Sequence, residues 1–254
     1  MKKFTFVAFL MLLSVIAFAQ RPVRFGVYVN GISPMGDLGA GDKINKNDAS
    51  PLCNYALMDE DGSQGYADIG GGFGFDVTLP IAKGIGVFAG ADMFYNSNKS
   101  ELKDFFEETS QDYVAIPGIK SFSYTLSNFV NIPLFIGMSY ILNYENNFTF
   151  FAEAATGPNF RFITDYKTET KHDNGDESKN TIEYNYATTF GFKFGAGVMM
   201  WNRMSIVLDY YSLGSAKVSG TDSDKVGSTT YEYKFDGKKD LYSSELVLRV
   251  GYHF

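Results

Sequence analysis

Cysteine is almost absent from this 254-residue chain: Cys53 is the only one, so no disulfide can form within the chain. Histidine is nearly as rare, with only His172 and His253, and no His/Cys group has zinc-site spacing. We therefore predict no metal site and no cofactor. We also predict no catalytic residue, because no base, nucleophile and orienting group come together in a recognisable pattern.

Long apolar runs are also missing after the first twenty residues, which excludes a bundle of spanning helices. Residues 1–19 carry Lys2 and Lys3, then an apolar stretch, then a small-x-small site that ends at Ala19. This pattern predicts a cleavable signal peptide over 1–19 and one mature domain over 20–254. Removal of the two lysines takes the formal charge from −7 to −9, and an acidic chain argues against nucleic acid as a partner.

Aromatic residues, by contrast, make up 17% of the chain, and there are 26 glycines, a mixture that favours many short strands. The clearest strand is 244–254, where Leu246, Leu248, Val250, Tyr252 and Phe254 alternate with mixed residues. An apolar face opposite a largely polar face is typical of a membrane-spanning barrel strand.

The same alternation recurs upstream in seven further segments. The eight segments are 24–31, 69–79, 85–95, 130–140, 148–156, 190–200, 205–211 and 244–254. Their connections alternate between long (32–68, 96–129, 157–189, 212–243) and short (80–84, 141–147, 201–204). We predict an all-β fold: an eight-stranded antiparallel up-and-down transmembrane β-barrel with four long outer loops and three short periplasmic turns.

The long connections carry their own local signals. Residues 101–108 predict a short helix, and Asn174-Gly175 and Asp236-Gly237 predict turns. Tyr231, Tyr233 and Phe235 alternate, which favours a continuation of the last two strands as a hairpin beyond the membrane.

Four stretches carry a resemblance to a known family: FVNIPLFIGMSY (129–140), FAEAATGPNF (151–160), FGFKFGAGV (190–198) and LVLRVGYHF (246–254). The chain resembles the small outer-membrane β-barrels grouped with PorT-like and OmpA-like barrel domains. The resemblance implies insertion by the barrel-assembly machinery, which reads a terminal aromatic strand. Leu248, Val250, Tyr252 and Phe254 fit that signal. No peptidoglycan-binding segment follows Phe254, so wall anchoring is not expected.

The predicted inward face carries charges of both signs. The inward charged residues are Arg24, Asp76, Asp92, Glu153, Lys193, Asp209, Glu245 and Arg249. One interpretation is a selectivity-lined pore. The favoured one is a network of charge pairs that fills a narrow lumen, because eight strands leave an interior that side chains can fill and buried charges need partners.

These observations predict a non-enzymatic protein of the Gram-negative outer membrane, surrounded by outer-membrane lipid. Its expected role is envelope-structural, or interaction with an extracellular ligand through the long loops. One alternative is a narrow, porin-like channel for small solutes. Another is a soluble calycin-like barrel that binds an apolar ligand, in which the apolar faces would point inward.

Overall fold

The computed structural model describes residues 23–39, 66–142 and 147–254. The predicted signal peptide with its cut near Ala19, the start of the mature domain at residue 20, and Cys53 lie outside this part of the chain. The described strands are β1 (Arg24–Met35), β2 (Gly70–Ala82), β3 (Ile85–Asn96), β4 (Ile119–Thr125), β5 (Phe129–Leu142), β6 (Phe148–Ile163), β7 (Tyr166–His172), β8 (Glu177–Tyr184), β9 (Ala187–Met200), β10 (Met204–Val226) and β11 (Thr229–His253). The helices are α1 (Gly36–Gly39) and α2 (Ser100–Val114). Among the described residues, no helix is both long enough and apolar enough to cross a membrane.

Eight of these strands pair into a closed antiparallel ring. Their order is β11, β1, β2, β3, β5, β6, β9 and β10, and β10 pairs again with β11. Closure gives every ring strand a partner on both sides, so no backbone edge of the ring is left open. The predicted all-β antiparallel fold is therefore confirmed.

Side chains in the ring alternate between two environments. In β1, for example, Phe25, Val27 and Val29 are exposed, whereas Tyr28, Asn30 and Ile32 are buried. Successive side chains of a strand point to opposite faces, so the alternation seen in the sequence becomes an apolar outside and a mostly polar inside. The orientation is opposite to that of a soluble calycin-like barrel.

Above the ring, β10 and β11 continue and carry a second sheet. The outer part of β10 pairs with β8, which pairs with β7, which pairs with β4. We call these three strands, with the β10 segment Gly220–Val226 and the β11 segment Thr229–Asp236, the upper sheet. We call the opposite end of the ring, with its short turns and Phe254, the lower end. Helix α2 packs against β4 beside the upper sheet.

Two predictions about the connections need correction. The chain has eleven described strands instead of eight, because 157–189 and 212–243 are largely strand. The segment around Asp236-Gly237 is not a turn: it lies within β11, and the hairpin reverses at Gly227, which has a φ of 60°. In the upper sheet a strand can be polar on both faces, and polar residues alone then resemble a loop.

Two local predictions are confirmed. The helix expected at 101–108 is α2, although it is longer, and Asn174-Gly175 forms the turn between β7 and β8, where Gly175 has a φ of 87°. Pro117 and Gly118 follow the end of α2 and favour termination there.

The lower end has a tight turn between β9 and β10. Trp201 and Asn202 have φ values of 51° and 57°, and the indole of Trp201 lies 6.3 Å from the Phe148 ring. Trp201 is exposed at this rim.

Candidate functional site

Apolar and aromatic side chains occupy much of the space inside the ring. One cluster in the lumen contains Phe88, Phe94, Phe135 and Tyr211, and the rings of Phe94 and Phe135 pack edge to face against Tyr211 at 4.9 Å and 5.3 Å. A second cluster packs at the upper end of the ring and includes Leu38, Phe129, Ile163, Val218 and Leu241. Eight strands enclose an interior that side chains can fill, and here they do so.

The predicted inward charges form one compact ionic cluster and several separate contacts. Arg249 of β11 donates to Asp209 of the neighbouring β10 and to Glu153 of β6, and Lys193 of β9 lies 2.8 Å from the same Glu153 carboxylate. All four side chains are buried. Two cations facing two carboxylates satisfy the need of buried charges for partners.

Aromatic rings complete the surroundings of the two cations. The Lys193 ammonium lies 5.1 Å, 5.5 Å and 5.4 Å from the rings of Phe88, Phe135 and Tyr211. The Arg249 guanidinium lies 4.5 Å from the Tyr28 ring. These cation–π contacts hold both side chains against the aromatic cluster instead of leaving them free in a water-filled lumen.

Two hydrogen bonds cross the full width of the ring. Tyr211 of β10 donates to Asp92 of β3 at 2.9 Å, and Asn131 of β5 donates to Glu245 of β11 at 3.0 Å. In each pair the two strands are four places apart around the ring in both directions, so they face each other across the lumen. The lumen is therefore bridged as well as filled.

The other predicted inward charges lie outside the ionic cluster. Asp76 accepts a hydrogen bond from Tyr28, and Arg24 reaches Met199 Sδ at 3.5 Å near the lower end. Glu245 is fully buried within the ring and bonds to Asn131 instead of a cation.

Sequence reasoning missed Arg161, which lies in the predicted loop 157–189 but is buried in β6. It donates to the carbonyl oxygens of Leu241 and Gly214 at 2.9 Å and 3.1 Å. The signal was present in the sequence, because Pro158, Phe160 and Phe162 continue the outward series of this strand and Arg161 falls on the inward one.

His253 and Ser205 form the pair that most resembles a catalytic arrangement among the described residues. The His253 Nε2 and Ser205 Oγ atoms lie 2.9 Å apart. Ser205 is completely buried, so a substrate does not reach its hydroxyl group. The pair stabilises the lower end of the ring by filling hydrogen-bonding capacity that would otherwise be lost.

The upper sheet carries polar and aromatic side chains on its exposed surfaces. Asn180 of β8 donates to Asp222 and Asp224 of β10 at 2.6 Å and 2.8 Å. Burial raises the pKa of Asp222, and the charge of Asp224 adds to the increase, while the bond from Asn180 opposes it. Next to these carboxylates, Tyr231 and Tyr233 of β11 are exposed.

The fold is similar to those of several solved outer-membrane and surface proteins. Neisserial surface protein A has 10% identity and a TM-score of 0.40, with 91% of this chain and 97% of that chain covered. A major outer membrane protein from Thermus thermophilus has 12% identity and a TM-score of 0.43, with 92% and 100% covered. The outer membrane protein OprG from Pseudomonas aeruginosa has 12% identity and a TM-score of 0.39, with 91% and 95% covered.

These likenesses agree with the resemblance to small outer-membrane barrels seen in the sequence. No protein-family model and no curated protein matches the chain.

Proposed function

We propose that this chain is a non-enzymatic outer-membrane β-barrel whose eight-stranded ring crosses the bilayer, and that the upper sheet is its functional surface. The role is interaction at the cell surface, or support of the envelope, and not passage of solutes. One observation carries the proposal: a continuous belt of exposed apolar side chains surrounds the ring.

Every ring strand contributes to this belt. One outward residue from each strand has an exposed fraction between 44% and 71%: Val29, Tyr95, Phe73, Ile136, Phe150, Phe194, Leu208 and Leu248. Soluble monomers rarely expose large contiguous apolar patches. A belt that closes on itself matches the lipid-facing surface of a barrel, and no single partner protein would cover it.

The polar lumen supports the same orientation. Lys193, Arg249, Glu153 and Asp209 are enclosed, and lipid would contact only the apolar face. Charged side chains on the lipid-facing side would be costly at the membrane midplane.

The filled lumen argues against the channel alternative. The aromatic cluster, the ionic cluster and the two bridging hydrogen bonds all lie inside the ring. A pore of porin type needs a water-filled lumen, which in known barrels comes with many more strands.

The two ends of the ring have different characters. The lower end has short turns, such as Trp201–Arg203, whereas the upper end carries the upper sheet and α2. Outer-membrane barrels have short periplasmic turns and long external segments. We therefore assign the lower end to the periplasm and the upper sheet to the cell exterior, with the signal peptide directing export.

The last strand presents the features that the assembly machinery is expected to read. Leu248, Val250, Tyr252 and Phe254 all point outward from the ring, and their exposed fractions lie between 39% and 73%. The barrel-assembly machinery and outer-membrane lipid are therefore the proposed partners of the ring itself.

Membrane fractionation and gel migration test the proposal together. We expect the protein in the outer-membrane fraction, resistant to carbonate extraction. Unheated samples should migrate differently from boiled ones, because a closed barrel resists detergent unfolding. Release into the soluble fraction by carbonate, with no heat-dependent change in migration, would contradict it.

A further inference from the structure

The outer edge of β11 in the upper sheet is a regular strand with one unoccupied side. From Thr229 to Asp236 it pairs with β10 in an unbroken register. On its other side, pairing with β1 extends only as far as Ser244. Within residues 23–39, 66–142 and 147–254, no strand pairs with this edge. A regular edge of this kind is a template for another strand.

Most side chains along this edge are exposed to solvent. Tyr231 and Tyr233 are 64% and 69% exposed on one face of the strand, and Glu232 and Lys234 are exposed on the other. The segment lacks proline and has no bulge, two of the devices that usually keep an edge from pairing. Two of its three charged residues, Glu232 and Lys234, flank Tyr233 on either side, and the third is Asp236.

This spacing makes the edge complementary to itself. When two copies pair antiparallel about a two-fold axis, one residue lies opposite its own counterpart. With Tyr233 on the axis, each Glu232 faces the Lys234 of the other copy, and each Tyr231 faces the other Phe235. Opposite charges and aromatic pairs directly across two strands are both stabilising.

The two symmetric registers next to this one are less stable. With Glu232 on the axis two carboxylates face each other, and with Lys234 on the axis two ammonium groups do so. Like charges directly opposite one another destabilise a strand pair. Of these three registers, the charge pattern therefore favours the one with Tyr233 on the axis, and the self-complementary edge points to a second copy of this chain as the partner.

We infer that the edge 229–236 pairs with the same edge of a second copy of this chain that is embedded in an opposing membrane. The inference rests on the proposed function, since it needs the upper sheet on the outside. An antiparallel pair about this axis points the two rings in opposite directions, so the copies belong to facing membranes and not to one membrane.

The strand length sets the membrane spacing. Leu246, the first exposed apolar residue below Tyr233, lies thirteen positions after it in the chain. At about 3.3 Å per residue in each copy, the two apolar belts are at most about 85 Å apart, and less where the strands tilt. Homotypic contact would thus tether two cells at close range.

Liposome tethering by the refolded full-length protein tests the inference. Two vesicle populations with different dyes are mixed, and co-diffusion is measured by fluorescence cross-correlation. We expect wild-type vesicles to tether. Glu232→Lys alone and Lys234→Glu alone each place like charges across the pair, so each should reduce self-tethering by about tenfold or more.

Mixing the two variants gives the decisive result. Vesicles with Glu232→Lys should tether to vesicles with Lys234→Glu, because opposite charges again face each other. A chain with both substitutions should also tether to itself. Glu183→Lys, an exposed charge reversal on β8 away from the edge, is the matched control and should leave tethering unchanged.

Heat-dependent migration of every variant separates the two proposals. If wild-type protein inserts and folds but does not tether, the homotypic contact is refuted while the membrane barrel stands. Undiminished tethering by the single variants, or failure of the mixture to tether, would equally refute it. If wild-type protein does not insert, the proposed function itself fails.

Discussion

The residues inside the ring are packed so closely that even a small added side chain collides with a neighbour. Gly195 of β9 lies against the ionic cluster, and a Cβ at this position would collide with the Asp209 carboxylate and contact Glu153 Cγ at 3.3 Å. Because the lumen is closely packed, a side chain at position 195 would displace the Asp209 carboxylate, to which Arg249 donates a hydrogen bond.

Gly195→Ala should therefore destabilise the folded barrel by about 1–3 kcal/mol, as expected for overpacking. Gly31→Ala in β1 is the control, since the nearest atom to its added Cβ is the Leu248 carbonyl oxygen at 3.9 Å. Urea unfolding in lipid vesicles, followed by gel migration, measures both. Equal stability of the two variants would contradict the packing described for Gly195.

Arg249 is the central cation of the ionic cluster. Among the described residues, Arg249→Met would leave Lys193 as the one cation near Glu153 and Asp209, and breaking a buried ion pair costs about 3–5 kcal/mol. Arg203→Met at the exposed lower rim removes a 3.3 Å contact to Tyr252 and should have little effect. The same unfolding assay compares them, and a small loss for Arg249→Met would show that the cluster is not needed for folding.

At the scale of elements, the ring strands and the upper sheet differ in how far the sequence reveals them. The 130–140 prediction matches β5 (Phe129–Leu142) closely, because one face of this strand is apolar outside and the other lines the lumen. β8 (Glu177–Tyr184) has polar residues on both faces, so no alternation marks it. It forms a strand because it pairs with β10 and with β7. The paired part of β10 is distant in sequence, and β7 itself shows no clear alternation of apolar and polar residues.

The sequence also reveals the arrangement of the lumen only in part. Alternation alone predicts which charged residues point inward, but not which of them meet. The contact between Arg249 and Glu153 depends on ring order, with β11 and β6 three places apart, and this order is not written in either strand. Arg161 was missed because the predicted strand ended at residue 156, although the outward apolar series of β6 continues to Phe162.

Helix α2 stabilises the upper sheet through a small apolar core. Phe106 is buried with Leu102, Tyr166 and Ile182, and its ring lies 6.0 Å from Tyr166. Phe106→Ala should cost about 3–5 kcal/mol locally and make α2 sensitive to protease while the ring stays folded. Glu107→Ala, an exposed neighbour, is the control. Loss of heat-dependent migration with Phe106→Ala would show instead that the two parts fold as one unit.

For the molecule as a whole, the bridged and filled lumen determines what the barrel does in a bilayer. We expect planar-bilayer recordings of the refolded protein to show no large, steady conductance, because side chains from facing strands meet across the ring. A stable open state on the nanosiemens scale would contradict the closed lumen and favour the channel alternative. A parallel recording on empty bilayers treated with the same detergent controls for leakage.

The turn at Trp201 makes this barrel a convenient subject for optical work. Trp201 is the single tryptophan in the chain and stands at the lower rim beside Phe148. Ultraviolet emission excited at the indole band therefore arises from one defined depth, with no labelling and no competing fluorophore of its kind. Quenchers attached at known positions along lipid tails would report when the β9–β10 hairpin arrives at its final depth. The time course of Trp201 quenching would thus measure the rate of barrel insertion.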